Sequence, residues 1–295
     1  MNLANKLVGR DLRMKRNKSF DNSQPLLYLV ATPIGNLGEM SKRALDILND
    51  VDIVFAEDTR NTYSLLANYG IKKELFSLRE HNELEASNHL ISLLKSGKKI
   101  AYVSDAGYPG ISDPGYLLVK SAIKEGISVS TISGSSAFLN ALVASGLSTS
   151  SFTFIGFLSK KGNEAKTTLQ ELVDRSETLI FYESPHHIKE TIELLHDVFG
   201  NRNAVIAREL TKLNEEYIRG SLDELVNLDF STLKGEMVVL VEGKISLNEE
   251  VSEEQIKERL KYYLDYGISK KTAIELVKND LQIGKNQVYK IAQDL

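Results

Sequence analysis

The chain has 295 residues but no cysteine, only five prolines and only five histidines. Without cysteine there are no disulfides, no thiolate zinc sites and no cysteine nucleophile, and a reducing, cytoplasmic setting is expected. The histidines are scattered, apart from the pair His186-His187, and lack metal-ligand spacing, so no metal is expected. No apolar run approaches the ~18 residues of a membrane span, so no membrane partner is expected. The N-terminus is basic without an apolar stretch behind it and does not read as a signal peptide. Forty acidic residues against 36 basic ones give a net charge of −4, so the chain as a whole does not advertise nucleic-acid binding.

What charge there is lies unevenly. Residues 1–25 carry Lys6, Arg10, Arg13, Lys15, Arg16 and Lys18 against Asp11 and Asp21, with little apolar periodicity. They read as a basic flexible arm, either a solubilising tail or a contact to a phosphate backbone. Met14 is a second possible start. The remaining length predicts two domains with a small appendage, and the apolar fraction of 42% suits a soluble protein with a proper core.

From Leu26 strand and helix alternate. Apolar strand runs at 26–31, 51–56, 100–103 and 128–132 are separated by helical patterns, the first capped by Ser41. Continuous rather than alternating apolar runs imply strands covered on both faces, hence a largely parallel sheet in an N-terminal α/β domain over 26–147. A C-terminal α/β domain over 148–244 has shorter connections and a mixed sheet, with strands expected at 152–157, 178–182, 204–207, 215–219 and 236–241. An acidic linker leads to three helical segments over 252–295 that read as a helix-turn-helix-like tail or as a packing cap.

The densest constraint is Ser104 to Gly115, SDAGYPGISDPG, which directly follows the strand at Ile100. Asp113 is expected to cap a helix from Pro114 to Glu125. The other loop residues are too many for a plain turn, and such loops at the C-terminal ends of parallel strands are where ligands sit. The loops 32–38, 57–60 and 133–136 share that rim. None is a dinucleotide fingerprint or a P-loop, and Pro33 and Pro109 remove amides that a phosphate cradle would use. A phosphate-free nucleoside cofactor, S-adenosylmethionine, fits.

Eight segments in register carry a resemblance. They are LVATPIGNLGEMSKRAL from Leu29, AEDTRNT from Ala56, SDAGYPGISDPG, SGSSAFLNALVASGL from Ser133, FIGFL from Phe154, FYESPHH from Phe181, ARELTKLNEE from Ala207 and GEMVVLVEG from Gly235. Together they resemble the bacterial small-subunit ribosomal RNA methyltransferases of the class III, tetrapyrrole-methylase-like, S-adenosylmethionine-dependent family. The resemblance implies 2′-O-methylation of a cytidine ribose in the decoding region of 16S ribosomal RNA. It also implies a homodimer and a cofactor cleft between the two α/β domains. It places S-adenosylmethionine against Pro33, Gly35, Asp105, Ala106, Gly107, Ser136, Ala137, Phe157 and Glu236. The chain departs from the family at Tyr108, Ser133, Ser135 and His187, where Thr, Pro, Pro and Arg are usual; the Ser133 turn should be looser, and neutral His187 a weaker phosphate clamp.

Methyl transfer is an in-line displacement in which positioning carries much of the rate. A ribose hydroxyl is a poor nucleophile, so a base or polarising group helps. Glu57, Asp58, Glu183, Glu209 and Lys212 are candidates, although Asp58 with Arg60 also reads as a surface pair and Glu183 as a helix cap. Arg60, Arg208 and Lys212 suit RNA phosphates. A tetrapyrrole methyltransferase on the same fold and a non-enzymatic nucleic-acid-binding regulator are the alternatives; the basic arm, the tail and the elaborate loops weigh against them.

Overall fold

In the computed structural model residues 25–244, 252–281 and 283–293 are described; the basic arm up to residue 24 and the acidic linker at 245–251 lie outside them. The first half builds β1 (Leu26–Val30), α1 (Lys42–Asp50), β2 (Ile53–Ala56), α2 (Thr59–Asn68), β3 (Glu74–Ser77), α3 (Glu83–Lys95), β4 (Ile100–Val103), α4 (Tyr116–Lys124), β5 (Ser128–Ile132) and α5 (Ala137–Ser145). Its five strands form one parallel sheet in the order β3-β2-β4-β1-β5. Side chains alternate across a strand. Leu27, Phe55, Ile100 and Tyr102 therefore pack on Leu90, Leu94, Leu118 and Ala122 of α3 and α4. Val30, Val54, Ala101 and Val103 pack on Ala44, Leu48 and Leu66 of α1 and α2. Ser41 caps α1 as expected, its hydroxyl accepting from the Ala44 N–H. The edge strand β3, with the sequence ELFS, has too little apolar character to stand out before folding.

Two expectations fail here. The residues 57–60 are not a loop throughout: Asp58 caps α2, accepting from the Arg60 N–H, and Thr59 and Arg60 lie inside the helix. Nor does α4 start at Pro114 with Asp113 as its cap. It begins at Tyr116, because Gly115 takes a φ of 140° that L side chains rarely adopt, which carries the chain away from Asp113. The cap comes instead from α3. The buried carboxylate of Glu83 accepts from the backbone N–H groups of Gly115 and Leu117, both at 2.9 Å.

The second half contains β6 (Phe152–Phe157), α6 (Gly162–Leu172), β7 (Thr178–Glu183), α7 (Ile188–Phe199), β8 (Asn203–Arg208), β9 (Glu216–Ser221), α8 (Leu222–Leu225) and β10 (Met237–Val241). The sheet order is β6-β7-β10-β8-β9, parallel at β6/β7 and antiparallel elsewhere. One face is covered by α6, α7 and α8 through Leu169, Ile192, Leu195 and Leu222. The other face takes α5, the last helix of the first half, whose Ala141 and Leu142 bury against Ile180, Val205, Val238 and Leu240. Arg219 completes this contact by donating to the carbonyls of Ser145 and Ala144 at the C-terminal end of α5, at 3.0 and 2.6 Å.

The chain divides into two compact units: the described part of Met1–Val173 with Glu177–Glu242, and Asp174–Ser176 with the described part of Gly243–Leu295. Both sheets belong to the first. The second holds α9 (Glu253–Asp265), α10 (Lys270–Leu281) and α11 (Lys285–Ala292) around Ile256, Leu260, Val277 and Val288. Arg259 and the Tyr263 hydroxyl both meet Asp280, tying α9 to α10. Among the described residues no helix is long and apolar enough to cross a membrane.

Removing the cap should show directly in stability. Glu83→Ala leaves two backbone donors without their acceptor and is expected to cost on the order of 2 kcal/mol, whereas Glu83→Gln, which keeps an acceptor oxygen, should lose less. Urea denaturation of the two variants beside the unmutated chain checks this ordering.

Candidate active site

At the C-terminal rim of the first sheet, the loops after the adjacent strands β1 and β4 are joined by a two-way backbone bridge. Thr32 N–H donates to the Gly107 carbonyl at 2.9 Å, and Gly107 N–H donates to the Thr32 carbonyl at 3.0 Å. The Thr32 hydroxyl also donates to the Ser104 carbonyl. These contacts hold the Ser104 to Gly115 loop open over the sheet. Its inner side forms one wall of a cleft of about 290 Å³, near the lower end of the ~300–1,000 Å³ usual for small-molecule sites. The opposite wall comes from the second sheet, with Tyr182, Glu183, Glu209, Leu210, Lys212, Glu236, Met237 and Val238.

Of the residues expected against a cofactor, Asp105, Ala106, Gly107, Ser136, Ala137, Phe157 and Glu236 line this cleft. Pro33 and Gly35 do not; Ile34 between them does. Gly35 has another reason to be glycine, because a Cβ there would lie 2.6 Å from Cγ of Lys212. The β1 loop thus closes tightly on the loop after β8. The carboxylate of Asp105 accepts from Asp58 N–H at 3.0 Å and from the Asn61 side-chain amide at 2.7 Å. It anchors the start of α2, while Asp105, Ala106 and Gly107 line the cleft. Tyr108, where the family usually has Thr, accepts from Gly134 N–H at 3.2 Å. It pins the Ser133 turn that lacks proline.

Of the catalytic candidates, Glu57, Glu183, Glu209 and Lys212 line the cleft and Asp58 does not. Glu183 is buried, accepting from Ser184 N–H and from the Thr191 hydroxyl at the start of α7. Glu209 pairs with Lys212 at 2.9 Å. Asp58 is held by Arg60 at 2.5 Å and by Arg79 at 3.4 Å, and the Arg60 hydrogen bonds keep its carboxyl well below the ordinary range. Arg60 lies outside the cleft lining with an exposed side chain, whereas Arg208 is mostly buried and committed to Glu216 and the Lys234 carbonyl.

Asp113 is a carboxylate whose place in the cleft sequence reasoning missed; with the candidate Glu57 it joins Asp105 and Glu236 in the lining. Burial pushes Asp113 up to about 7, reinforced by the negative charges of Glu57, Asp105 and Glu236 and opposed by a hydrogen bond from Ser104. Glu57 is raised too, mainly by burial. The phenol of Tyr182, facing the same space, is pushed up to about 12 by burial. The signal for Asp113 was present in Asp-Pro-Gly, since a glycine at the cap position displaces the preceding Asp from that role. Strain marks the same region: among the described residues the non-glycine positions with positive φ are Ser112, Glu209 and Thr211, at 60°, 50° and 66°. Two of the three line the cleft, where strained backbone is usually functional.

Comparison with known proteins agrees with this architecture. The family model for Tetrapyrrole (Corrin/Porphyrin) Methylases matches residues 26–226. Proteins called Ribosomal RNA small subunit methyltransferase I from Halalkalibacterium halodurans and Bacillus subtilis are 44% and 43% identical. Their alignments cover 94% of this chain and 99% and 97% of the relatives. The Vibrio cholerae protein of that name is 44% identical, covering 94% of this chain and 97% of its own. Among solved structures, diphthine synthase superposes with a TM-score of 0.58 at 17% identity, over 74% of this chain and 90% of that one. Uroporphyrin-III-C-methyltransferase from Thermus thermophilus gives 0.53 at 19%, over 74% and 94%. At such identities these two likenesses concern the fold alone. The chain belongs to the tetrapyrrole (corrin/porphyrin) methylase family, within the group of proteins named ribosomal RNA small subunit methyltransferase I.

Proposed function

We propose that this protein transfers a methyl group from S-adenosylmethionine to the ribose 2′-hydroxyl of a cytidine in the decoding region of 16S ribosomal RNA. The observation that carries the reading is the charge of the cleft. Glu57, Asp105, Asp113 and Glu236 surround a space otherwise walled by Ile34, Ala137, Leu210, Met237 and Val238. An anionic, partly apolar cleft repels a pyrophosphate and attracts a cation with a flat ring system. S-adenosylmethionine supplies a sulfonium methyl and a protonated amine and carries no phosphate. The backbone of Asp105 to Gly107 and the Ser136-Ala137 turn would meet its polar edges, with Phe157 and Glu236 closing from the second sheet. Pro33 and Gly35 support that site from behind, through the β1 loop.

The same charge keeps RNA phosphates outside, so only an uncharged ribose enters. Arg60, exposed outside the cleft lining, and Lys212 in the lining suit the flanking phosphates. Arg208 instead supports the loop through Glu216. Glu183, Glu209 and Lys212 set the acceptor side of the cleft, and Asp58 orients Arg60. A polycarboxylate tetrapyrrole would meet repulsion from these walls, and the relatives at 43–44% identity bear ribosomal RNA methyltransferase names. A cytoplasmic setting follows from that substrate. The homodimer has a candidate surface on α5, where Leu139 and Val143, four residues apart and so on one helix face, are exposed.

Labelled S-adenosylmethionine offered with small ribosomal subunits lacking the modification should yield a 2′-O-methylated cytidine on nucleoside mass spectrometry; label on a tetrapyrrole and none on RNA would refute the reading. Gly235→Ala tests the shape of the site, since a Cβ there would sit 1.8 Å from Oε1 of Glu209 at a φ of +80°. Displacing Glu209, and Lys212 with it, should lower kcat by roughly 10- to 100-fold, measured beside a circular-dichroism melt that reports whether the fold persists.

A further inference from the structure

We propose that Asp113 takes the proton of the acceptor hydroxyl during methyl transfer, so that a proton replaces the positive charge lost from the cleft. This rests on the methyl-transfer reading above. The hydroxyl oxygen forms the new O–C bond. The methyl C–S bond breaks with its electron pair left on sulfur, which becomes a neutral thioether. The O–H proton passes to the Asp113 carboxylate. One unit of positive charge is present in the cleft before the step and one after it.

Partner geometry leaves Asp113 and Glu236 among the cleft carboxylates, and of these Asp113 is the half-buried one while Glu236 is exposed. Its expected structural task, capping α4, is done by Glu83, which leaves it free of the helix. Glu183 is hydrogen-bonded through both oxygens, to Ser184 and Thr191. Glu209 is paired with Lys212. Asp105 holds Asp58 and Asn61, and Glu57 accepts from Asp105 N–H. Asp113 has a hydrogen bond from Ser104 and otherwise faces anions: Glu57 and Asp105 from the first sheet's rim and Glu236 from the second. The phenols of Tyr102 and Tyr182 also face it, both held neutral by burial. Lys212 is the only cation among the cleft-lining residues, and Glu209 already neutralises it.

That setting makes the proton on Asp113 conditional on what else is bound. With no cation in the cleft, burial first and the surrounding carboxylates second favour its protonated form, up to about 7. A bound sulfonium offsets those charges and expels the proton, so the carboxylate is ready as an acceptor when the donor is in place. After transfer the sulfonium is gone and the carboxylates favour the proton again.

Titration calorimetry in buffers of different ionisation enthalpy tests this without turnover. At pH 6, where α-amino groups are protonated, binding of S-adenosylmethionine to the unmutated chain should release about one proton per site, and binding of S-adenosylhomocysteine close to none. Because the proton must leave, affinity for S-adenosylmethionine should weaken about tenfold per pH unit below 7, with no such slope for S-adenosylhomocysteine. Asp113→Asn should abolish the difference in proton release and lower kcat by at least about 100-fold. Equal proton release with the two ligands in the unmutated chain would overturn the assignment, even where methylation of RNA proceeds; so would an unchanged difference in Asp113→Asn. A chain that neither binds S-adenosylmethionine nor methylates RNA would bring down the functional reading and this inference together.

Discussion

Everything at the cleft depends on one packing contact, α5 against the second sheet. The helix begins at the rim of the first sheet, where Ser136 and Ala137 line the cleft, and one turn later it buries Ala141 and Leu142 among Ile180, Val205, Val238 and Leu240. A single rigid rod therefore carries the geometry of one wall into the core of the other. Truncating a buried Leu costs about 2–5 kcal/mol, so this contact fixes the separation of the walls far more firmly than the rim hydrogen bonds do. Arg219 gripping the last carbonyls of α5 sets where the rod stops.

On that frame the electrostatics follow from economy of support. Glu57, Asp105, Glu183 and Glu209 each have a bonding role near the cleft, whereas Asp113 is released from capping because a neighbouring helix reaches over with Glu83 to cap α4. Like charges gathered in a half-buried space cannot all ionise freely. The cleft is thus poised to accept positive charge, whether it arrives as a ligand or as a proton. Of the positive groups, Lys212 lies in the lining and Arg60 outside it with its side chain exposed.

Much of this was legible before the coordinates. Apolar runs at 26–31 and 100–103 announced covered parallel strands, and the Gly- and Pro-rich loop after Ile100 marked the rim that carries the cleft, because both signals are local. β3 escaped, since an edge strand reading ELFS owes its state to Ile53–Ala56 beside it rather than to its own residues. Asp113 was misread because capping is decided in three dimensions: Glu83 lies 32 residues from Gly115 and nothing in its surroundings betrays the reach. Pro33 and Gly35 were expected at the cleft, whose lining instead takes their neighbour Ile34, a placement that only the folded loop decides. The roles of Gly35 and Gly235 likewise needed the opposing loop to be visible.

The central position of β10 has a consequence for how the protein is made. β7 and β8 are each paired to β10 and not to one another. The second sheet cannot close until the chain has been synthesised through Val241, and until then α5 lacks Val238 and Leu240 of the strand that joins the sheet's two halves. Roughly ninety residues separate α5 from β10, so at about 5–20 residues per second a nascent chain carries that helix without this cover for on the order of 5–20 s. In that interval the face of α5 that Val238 and Leu240 cover is open to other apolar surfaces, and the rate of synthesis between residues 146 and 236 sets how long it lasts.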